Sequence, residues 1–253
     1  MENIENKRKA LEIMAPAGNF ECLHAAIQGG ADSVYFGVEK LNMRSHSANN
    51  FKMTDLKEIV RICSEHNVKT YLTLNIALFG EDLEDMRKTL DAAKEAGITA
   101  VIASDMAAIL YARQIGVEVH ISTQLSISNV EALRFYAQFA DVIVLARELN
   151  LGQVKEIKRI IDEEQICGPS GRIVEIEMFA HGALCMAISG KCYLSLHEYG
   201  ASANRGSCYQ LCRRAYDVRD RETGMELTVD NKYIMSPKDL CTIEFMDKII
   251  DAG

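Results

Sequence analysis

Cysteines crowd the last third of this chain, where their placement suits a soft metal ion or an iron–sulfur cluster. Six of the eight cysteines follow residue 166. Cys185, Cys192, Cys208 and Cys241 are separated by 7, 16 and 33 residues, and Cys212 is an extra thiol four residues after Cys208. Thiolates that converge from several backbone directions can hold such a group. The spacing matches neither a paired zinc ribbon nor a ferredoxin run, so buried or free thiols are the alternative interpretation.

Three side chains close to these cysteines are candidates for acid–base catalysis. His181 opens the cysteine-rich stretch, and an imidazole can act as an acid, a base or a metal ligand. Lys238 and Asp239 follow a Ser-Pro step shortly before Cys241. For His181 the alternative is a structural role, in which a hydrogen bond from the ring orients the cysteine loop.

Arginines interleave with the later cysteines and favour the binding of an anionic ligand. Arg205, Arg213 and Arg214 flank Cys208 and Cys212, with Tyr209 between them. A guanidinium binds phosphate or carboxylate through two hydrogen bonds, and a tyrosine ring can stack on a base. The chain as a whole has a net charge of −8, which argues against non-specific binding to nucleic acid. A solvated positive loop in an acidic protein is the alternative.

These residues need a scaffold, and the first 166 residues predict one of alternating strands and helices. Six β-branched runs each precede an amphipathic segment with apolar positions at helical spacing. This alternation indicates a parallel sheet with right-handed crossovers. The predicted strands are Leu11–Ala15, Ser33–Gly37, Lys69–Ile76, Ala100–Ala103, Glu118–Ser122 and Asp141–Leu145.

Two further strands favour a (β/α)8 barrel over an open doubly wound sheet. They are predicted over Ile173–Phe179 and Lys232–Met235, with a helix from Thr242. No Gly-x-Gly-x-x-Gly fingerprint follows any strand, which disfavours a dinucleotide-binding domain. We therefore expect one domain over residues 1–253, with a Cys- and Arg-rich insertion over residues 181–231. The final Asp-Ala-Gly resembles the helix-to-strand junctions earlier in the chain, so we expect the sequence to stop short of another element.

Polar side chains follow several of the predicted strands, at the end of a barrel where enzymes hold their substrates. We expect Arg44, Asn75, Gln124 and Arg147 to line a pocket there. The alternative for such residues is helix capping and loop solvation, and Asn19 stands where an N-cap residue would.

Composition excludes several classes of protein. Hydrophobic residues make up 48% of the chain and prolines number only three, which excludes a disordered or collagen-like chain. No apolar run is long enough to span a membrane, and the charged beginning of the sequence lacks the apolar core of a secretory signal. We expect a cytoplasmic protein with no membrane partner.

Long stretches of the chain resemble peptidase family U32, the collagenase-like peptidases. The resemblance is strongest in EMFAHGALCMAISGKCYLS at 177–195, SANRGSCYQLCR at 202–213 and SPKDLC at 236–241. The opening LEIMAPAGN, with GADSVYFG and NMR after it, resembles a further block of the family.

This resemblance implies more than the peptidase activity for which the family is named. Some members are associated with hydroxylation of RNA bases or of ubiquinone precursors. Matched residue by residue, it implies a [4Fe–4S] cluster on Cys185, Cys192, Cys208 and Cys241, with Cys208 chosen over Cys212. The pattern is most similar to members that form 5-hydroxyuridine at the wobble position of tRNA, in an oxygen-independent route linked to prephenate.

Three hypotheses about function follow. The first is an enzyme that hydroxylates a pyrimidine of tRNA or rRNA, with the arginine loop on the RNA backbone and prephenate as a possible co-substrate. The second is a peptidase that uses His181 or Cys185. The third is a non-catalytic module that holds a cluster for a partner protein.

Overall fold

Seven short strands pair in chain order to form one parallel sheet. The computed structural model describes residues 11–43, 45, 50–188, 191–229 and 239–253, with the backbone alone at 227–229. Each strand pairs with the next along the chain, and every one of these pairs is parallel. The strands are β1 (Met14–Pro16), β2 (Ser33–Phe36), β3 (Lys69–Leu74), β4 (Ala100–Ala103), β5 (Glu118–Ile121), β6 (Val142–Val144) and β7 (Glu175–Glu177).

A helix follows each of the first six strands and returns the chain to the start of the next one. Asn19, Asp105 and Asn129 cap three of these helices, since each side chain accepts a hydrogen bond from a backbone amide of the first turn. The six predicted strand–helix units and the seventh strand are thereby confirmed. The helices are α1 (Phe20–Gln28), α2 (Leu56–Glu65), α3 (Leu83–Ala96), α4 (Met106–Gln114), α5 (Val130–Ala137) and α6 (Leu151–Glu164).

The main hydrophobic core lies between the outer face of the sheet and this layer of helices. Successive side chains of a strand point to opposite faces, so Leu72 and Leu74 of β3 face outward while Tyr71 faces inward. Leu72 packs in the same cluster as Ile59 of α2 and Leu90 of α3, and all three are fully buried. Burial of apolar surface is the dominant favourable term in the folding of such a layer.

The sheet curls into a half-barrel, as contacts between residues of non-adjacent strands on its inner face show. The hydroxyl of Tyr71 donates a hydrogen bond of 2.6 Å to Glu12, just before β1. The ring of Tyr71 also lies 4.6 Å from the ring of His120 in β5. Strands two apart in a flat sheet are separated by about 10 Å. These short contacts therefore require the curvature of a half-barrel.

The remaining described elements belong to the chain after β7 and include two small antiparallel pairs. The predicted eighth strand, Lys232–Met235, lies outside the described residues, so closure of the barrel by eight strands stays a prediction. None of the described helices combines the length and the hydropathy that crossing a bilayer requires. The elements are β8 (His181–Gly182), α7 (Leu194–Tyr199), β9 (Tyr216–Arg219), β10 (Glu226–Val229), β11 (Leu240–Cys241) and α8 (Met246–Ile250).

Substitution of Leu72 tests this description of the core. Leu72→Ala removes a fully buried side chain from the middle of the sheet and leaves a cavity, so we expect it to lower the free energy of unfolding by about 2–5 kcal/mol. Leu110→Ala, at a position of α4 that is 51% exposed, is the matched control and should change it by less than about 1 kcal/mol. Urea unfolding followed by circular dichroism measures both. Equal losses for the two variants would contradict the placement of the core.

Candidate functional site

The cysteine-rich segment, defined here as residues 181–229, lies across the carboxyl ends of the strands. Gly206 has a φ of +87°, and a Cβ at this position would lie 2.2 Å from Oγ of Ser45 and 2.5 Å from the carbonyl oxygen of Asn42. This close approach to the loop after β2 requires a glycine. The backbone amide of Ala77, just after β3, donates to the carbonyl of Asn204. The segment therefore covers the edge of the sheet where enzymes of related architecture hold their substrates.

Arg205 anchors this segment to the sheet through several simultaneous contacts. Its guanidinium donates to both carboxylate oxygens of Asp82, at 2.7 and 3.3 Å, and to the carbonyl of Ala77 at 3.1 Å. It also lies 3.9 Å from the centroid of the Phe79 ring. Hydrogen bonding to Arg205 holds the pKa of Asp82 below its usual value. The predicted role of Arg205 on an RNA backbone stays a prediction, while its contacts in the structure are those of an anchor.

The four predicted cluster ligands lie on parts of the chain that hydrogen bonds tie together, and all are free thiols. The amide of Cys192 donates to the side chain of Asn204, and the amide of Tyr209, next to Cys208, donates to Ser195. Cys185 and Cys192 are half-buried, whereas Cys208 and Cys241 are exposed. Within the described ranges, no three His, Cys, Asp or Glu side chains converge on a point where they could hold a metal ion. The described thiols therefore do not form a preassembled metal site, and the cluster stays a prediction.

The candidate catalytic residues lie beside the start and the end of the cysteine-rich segment. His181 of β8 is exposed and pairs with Cys241 of β11 in a two-residue antiparallel ladder. Asp239 accepts a hydrogen bond of 2.8 Å from Arg213, which also donates to the carbonyl of Leu184. Arg213 therefore joins the two sides of this ladder. The third candidate, Lys238, lies outside the described residues.

Aromatic rings and a guanidinium form an exposed cluster on the cysteine-rich segment, here called the stacking patch: Tyr199, Tyr209 and Arg214. The two tyrosine rings lie 4.9 Å apart and each residue is 47% exposed. Arg214 is exposed as well, lies 5.5 Å above the ring of Tyr199 and donates to its hydroxyl at 2.6 Å. Exposed aromatic faces next to a cation are suited to stacking with bases and contact with phosphate.

The predicted pocket residues take different roles. Asn75 accepts a hydrogen bond of 3.2 Å from the amide of Met43, so it holds the loop after β2. Gln124 lies half-buried in a turn after β5. The guanidinium of Arg147 lies 5.0 Å from the centroid of the Phe179 ring, just after β7. Arg44 lies outside the described residues.

Arg147 and Phe179 line a cavity of about 190 Å³ at the carboxyl ends of β6 and β7. Most of the other lining side chains are apolar, and they include Leu184, Leu240 and Phe245. No carboxylate partner for Arg147 lies within the described part of the chain. A cation over an aromatic ring at an apolar cavity is suited to a small carboxylate that also has an apolar body.

The sequence analysis missed a set of polar side chains on the inner face of the sheet. Burial raises the pKa of Glu177 in β7 to about 7, and the nearby charge of Glu12 adds to this shift. Burial alone would raise the pKa of Glu12, but hydrogen bonds from Lys69 and Tyr71 outweigh it and leave that pKa lowered. In β5 and β7, charged or polar residues occupy every second position, and this alternation could have indicated a polar inner face.

Together, the fold and the site define an α/β half-barrel protein whose candidate site lies under a cysteine-rich segment at the carboxyl ends of the strands. The model of peptidase family U32 matches residues 18–253. The chain belongs to this family, which confirms the resemblance found in the sequence. The solved structure of the U32 peptidase Mk0906 has the same fold, with a TM-score of 0.51 over 68% of this chain and 69% of that one, at 16% identity.

Curated relatives have names of two different kinds. A collagenase of Porphyromonas gingivalis is 63% identical over 96% of this chain and 58% of its own length. The tRNA hydroxylation protein P1 of Bacillus subtilis is 36% identical over 97% of this chain and 57% of its own length. The 23S rRNA 5-hydroxycytidine C2501 synthase of Escherichia coli is 36% identical over 96% and 35%. The chain thus spans little more than half the length, or less, of these relatives.

Removal of the Arg205 anchor should loosen the cysteine-rich segment. Hydrogen bonds to a charged partner contribute about 1.5–3 kcal/mol, so in Arg205→Gln we expect amide hydrogen exchange at residues 204–213 to be about tenfold faster or more. Arg219→Gln removes the same charge from an exposed position of β9 and is the matched control. Mass spectrometry of exchange measures both variants.

The same contact should respond to acid in a defined direction. Because the pKa of Asp82 is lowered in the fold, its carboxylate contributes its full stabilisation of the folded state above the ordinary value of about 3.9. That stabilisation is lost as the pH falls through the lowered pKa. Unchanged exchange in Arg205→Gln, or equal acceleration in Arg219→Gln, would contradict the anchoring role.

Proposed function

We propose that this chain is the half-barrel part of an RNA-modifying enzyme that hydroxylates a pyrimidine of tRNA or rRNA. The observation that supports this most is the stacking patch, in which two exposed tyrosine rings lie next to an exposed guanidinium on the cysteine-rich segment. Two relatives at 36% identity have names that describe RNA hydroxylation. Formation of 5-hydroxyuridine at the tRNA wobble position is the specific reaction we favour.

Each of the residues at the carboxyl edge has its own role in this proposal. Tyr199 and Tyr209 stack on bases, and Arg214 contacts the phosphate backbone. Arg147 at the apolar cavity binds a small carboxylate, for which prephenate is our candidate co-substrate. Replacement of the C5 hydrogen by a hydroxyl is a two-electron oxidation of the base, so in this proposal the carboxylate co-substrate must both supply the oxygen atom and take up the two electrons. His181 and Asp239 lie beside the same edge and are our candidates for proton transfer.

Nucleoside analysis tests the proposal directly. Deletion of the gene for this chain should remove 5-hydroxyuridine from tRNA, or 5-hydroxycytidine from 23S rRNA, in mass spectra of digested RNA. The wild-type gene should restore the modification, and a gene with Arg147→Gln should not. Unchanged nucleosides in the deletion strain would contradict the proposal.

A peptidase is the second candidate, because the relative at 63% identity is named a collagenase. In the described part of the chain, His181 and Cys185 form no hydrogen bond with each other, although a cysteine nucleophile would need such a base. Degradation of gelatin by the purified protein, lost in Cys185→Ser and retained in Cys167→Ser, would favour this candidate over RNA hydroxylation.

The stacking patch makes a quantitative prediction for RNA binding. Stacking of a base on an aromatic side chain contributes about 1–3 kcal/mol, so Tyr209→Ala should weaken binding of an anticodon stem-loop by about fivefold or more. Arg214→Gln should weaken it as well and reduce the slope of log affinity against log salt concentration by about 1. Phe135→Ala, at a 52% exposed position of α5, is the control and should leave the affinity unchanged. Fluorescence anisotropy measures all three, and equal affinities would contradict the role of the patch.

The [4Fe–4S] cluster is a separate proposal with its own test. We propose Cys185, Cys192, Cys208 and Cys241 as its ligands, and no step of the reaction above depends on it. Anaerobic reconstitution should give about four iron and four sulfide per chain, a brown colour, and a marked loss of both in Cys185→Ser. Cys167→Ser changes an exposed cysteine outside the cysteine-rich segment and should retain the iron. A colourless wild-type protein without iron would contradict the proposal.

A further inference from the structure

The two tyrosines of the stacking patch come from separate stretches of the chain. Tyr199 is the last residue of helix α7, whereas Tyr209 lies in the loop that follows, ten residues further along the chain. Each residue is 47% exposed, so burial of the rings does little to fix the 4.9 Å distance between them. A contact elsewhere in the cysteine-rich segment must therefore set the position of one tyrosine relative to the other.

The side chain of Ser195 makes such a contact. Its hydroxyl accepts a hydrogen bond of 3.0 Å from the backbone amide of Tyr209, and the residue is only 2% exposed. A hydrogen bond shielded from water is electrostatically stronger than one at the surface. Ser195 belongs to α7 and precedes Tyr199 by four residues, which is about one helical turn. The hydroxyl thus ties the backbone of one tyrosine to the helix that carries the other.

The backbone next to Tyr209 is strained. Gln210 has a φ of +52°, in the left-handed region that residues with a Cβ seldom adopt. Such a conformation persists only where the surrounding structure fixes the chain. The bond to Ser195 holds the chain just before Gln210, and the side chain of Leu211, which is 8% exposed, holds it just after. Loss of the bond to Ser195 would therefore release one side of this strained turn.

We propose that Ser195 is a positioning residue for RNA binding, because its hydroxyl holds Tyr209 beside Tyr199 before RNA arrives. A surface that is ordered in advance loses less conformational entropy when it binds a ligand. Ser195 itself is too deeply buried to contact RNA, so it acts only through Tyr209. This inference rests on the proposed function, because it assigns a role within the stacking patch.

A double-mutant cycle between Ser195 and Tyr209 tests this role. Ser195→Ala removes the acceptor, and the affinity for the anticodon stem-loop should fall by about threefold to tenfold, as expected for the loss of one buried hydrogen bond. In the Tyr209→Ala background no ring remains to be positioned, so the same change should lower the affinity by less than about twofold. Fluorescence anisotropy gives all four affinities of the cycle.

The salt dependence of RNA binding separates positioning of Tyr209 from a general loosening of the segment. Ser195→Ala removes no charge, so the slope of log affinity against log salt concentration should equal that of the wild type. A reduced slope would mean that the variant displaces Arg214 as well, and it would overturn the proposal. Thr89→Ala removes another buried hydroxyl, from α3 outside the cysteine-rich segment, and should leave the affinity unchanged. Circular dichroism checks that both variants fold.

Hydrogen exchange in the wild-type protein adds a test that needs no folded variant. Measured by NMR, the amide of Tyr209 should exchange at least about tenfold more slowly than the same amide in a short unstructured peptide. Unprotected exchange at Tyr209, or an equal effect of Ser195→Ala in both backgrounds of the cycle, would overturn the positioning role alone. If Tyr209→Ala by itself leaves the RNA affinity unchanged, the RNA-binding role of the patch fails, and this inference fails with it.

Discussion

The structure depends on one constraint, which is the parallel pairing of each strand with the next one along the chain. Because every connection among the first seven strands returns through a helix, all carboxyl ends of the strands lie at one edge of the sheet. The loops after these strands therefore meet at that edge, although they are far apart in sequence. The cysteine-rich segment covers this edge because Arg205 contacts Asp82 there, 123 residues earlier in the chain. Without the common edge, no single segment could contact the loops after both β2 and β3.

The curvature of the same sheet creates a second polar environment on its inner face. In a flat sheet, Tyr71 and His120 would lie about two strand spacings apart, too far for their rings to touch. The curl brings them into contact and places Glu177 near Glu12, so that two carboxylates share a partly dehydrated space. The half-barrel therefore has two faces of different chemistry: a surface of arginines and tyrosines at the carboxyl edge, and an acidic interior beside the edge strands.

The sequence predicted the scaffold well and the contacts across it poorly. Strands such as Lys69–Leu74 and helices such as Leu83–Ala96 were predictable because their apolar periodicity is local. The Arg205–Asp82 contact was not, since nothing local links an arginine in a loop to an acid that precedes a distant helix. The environment of His120 was not predictable either, because the strand pattern shows which face the ring occupies but not that its Nδ1 atom has no hydrogen-bond partner among the described residues. The ligand set of four cysteines came from family resemblance and not from spacing alone.

The central claim is that RNA binds at the carboxyl edge through the stacking patch, and ultraviolet cross-linking in cells tests it most directly. RNA cross-linked to this protein should be attached through pyrimidines to peptides that contain Tyr199 or Tyr209, and it should be enriched in tRNA or 23S rRNA sequences. Absence of RNA cross-links, or attachment only to the outer helices α1 to α6, would contradict the account.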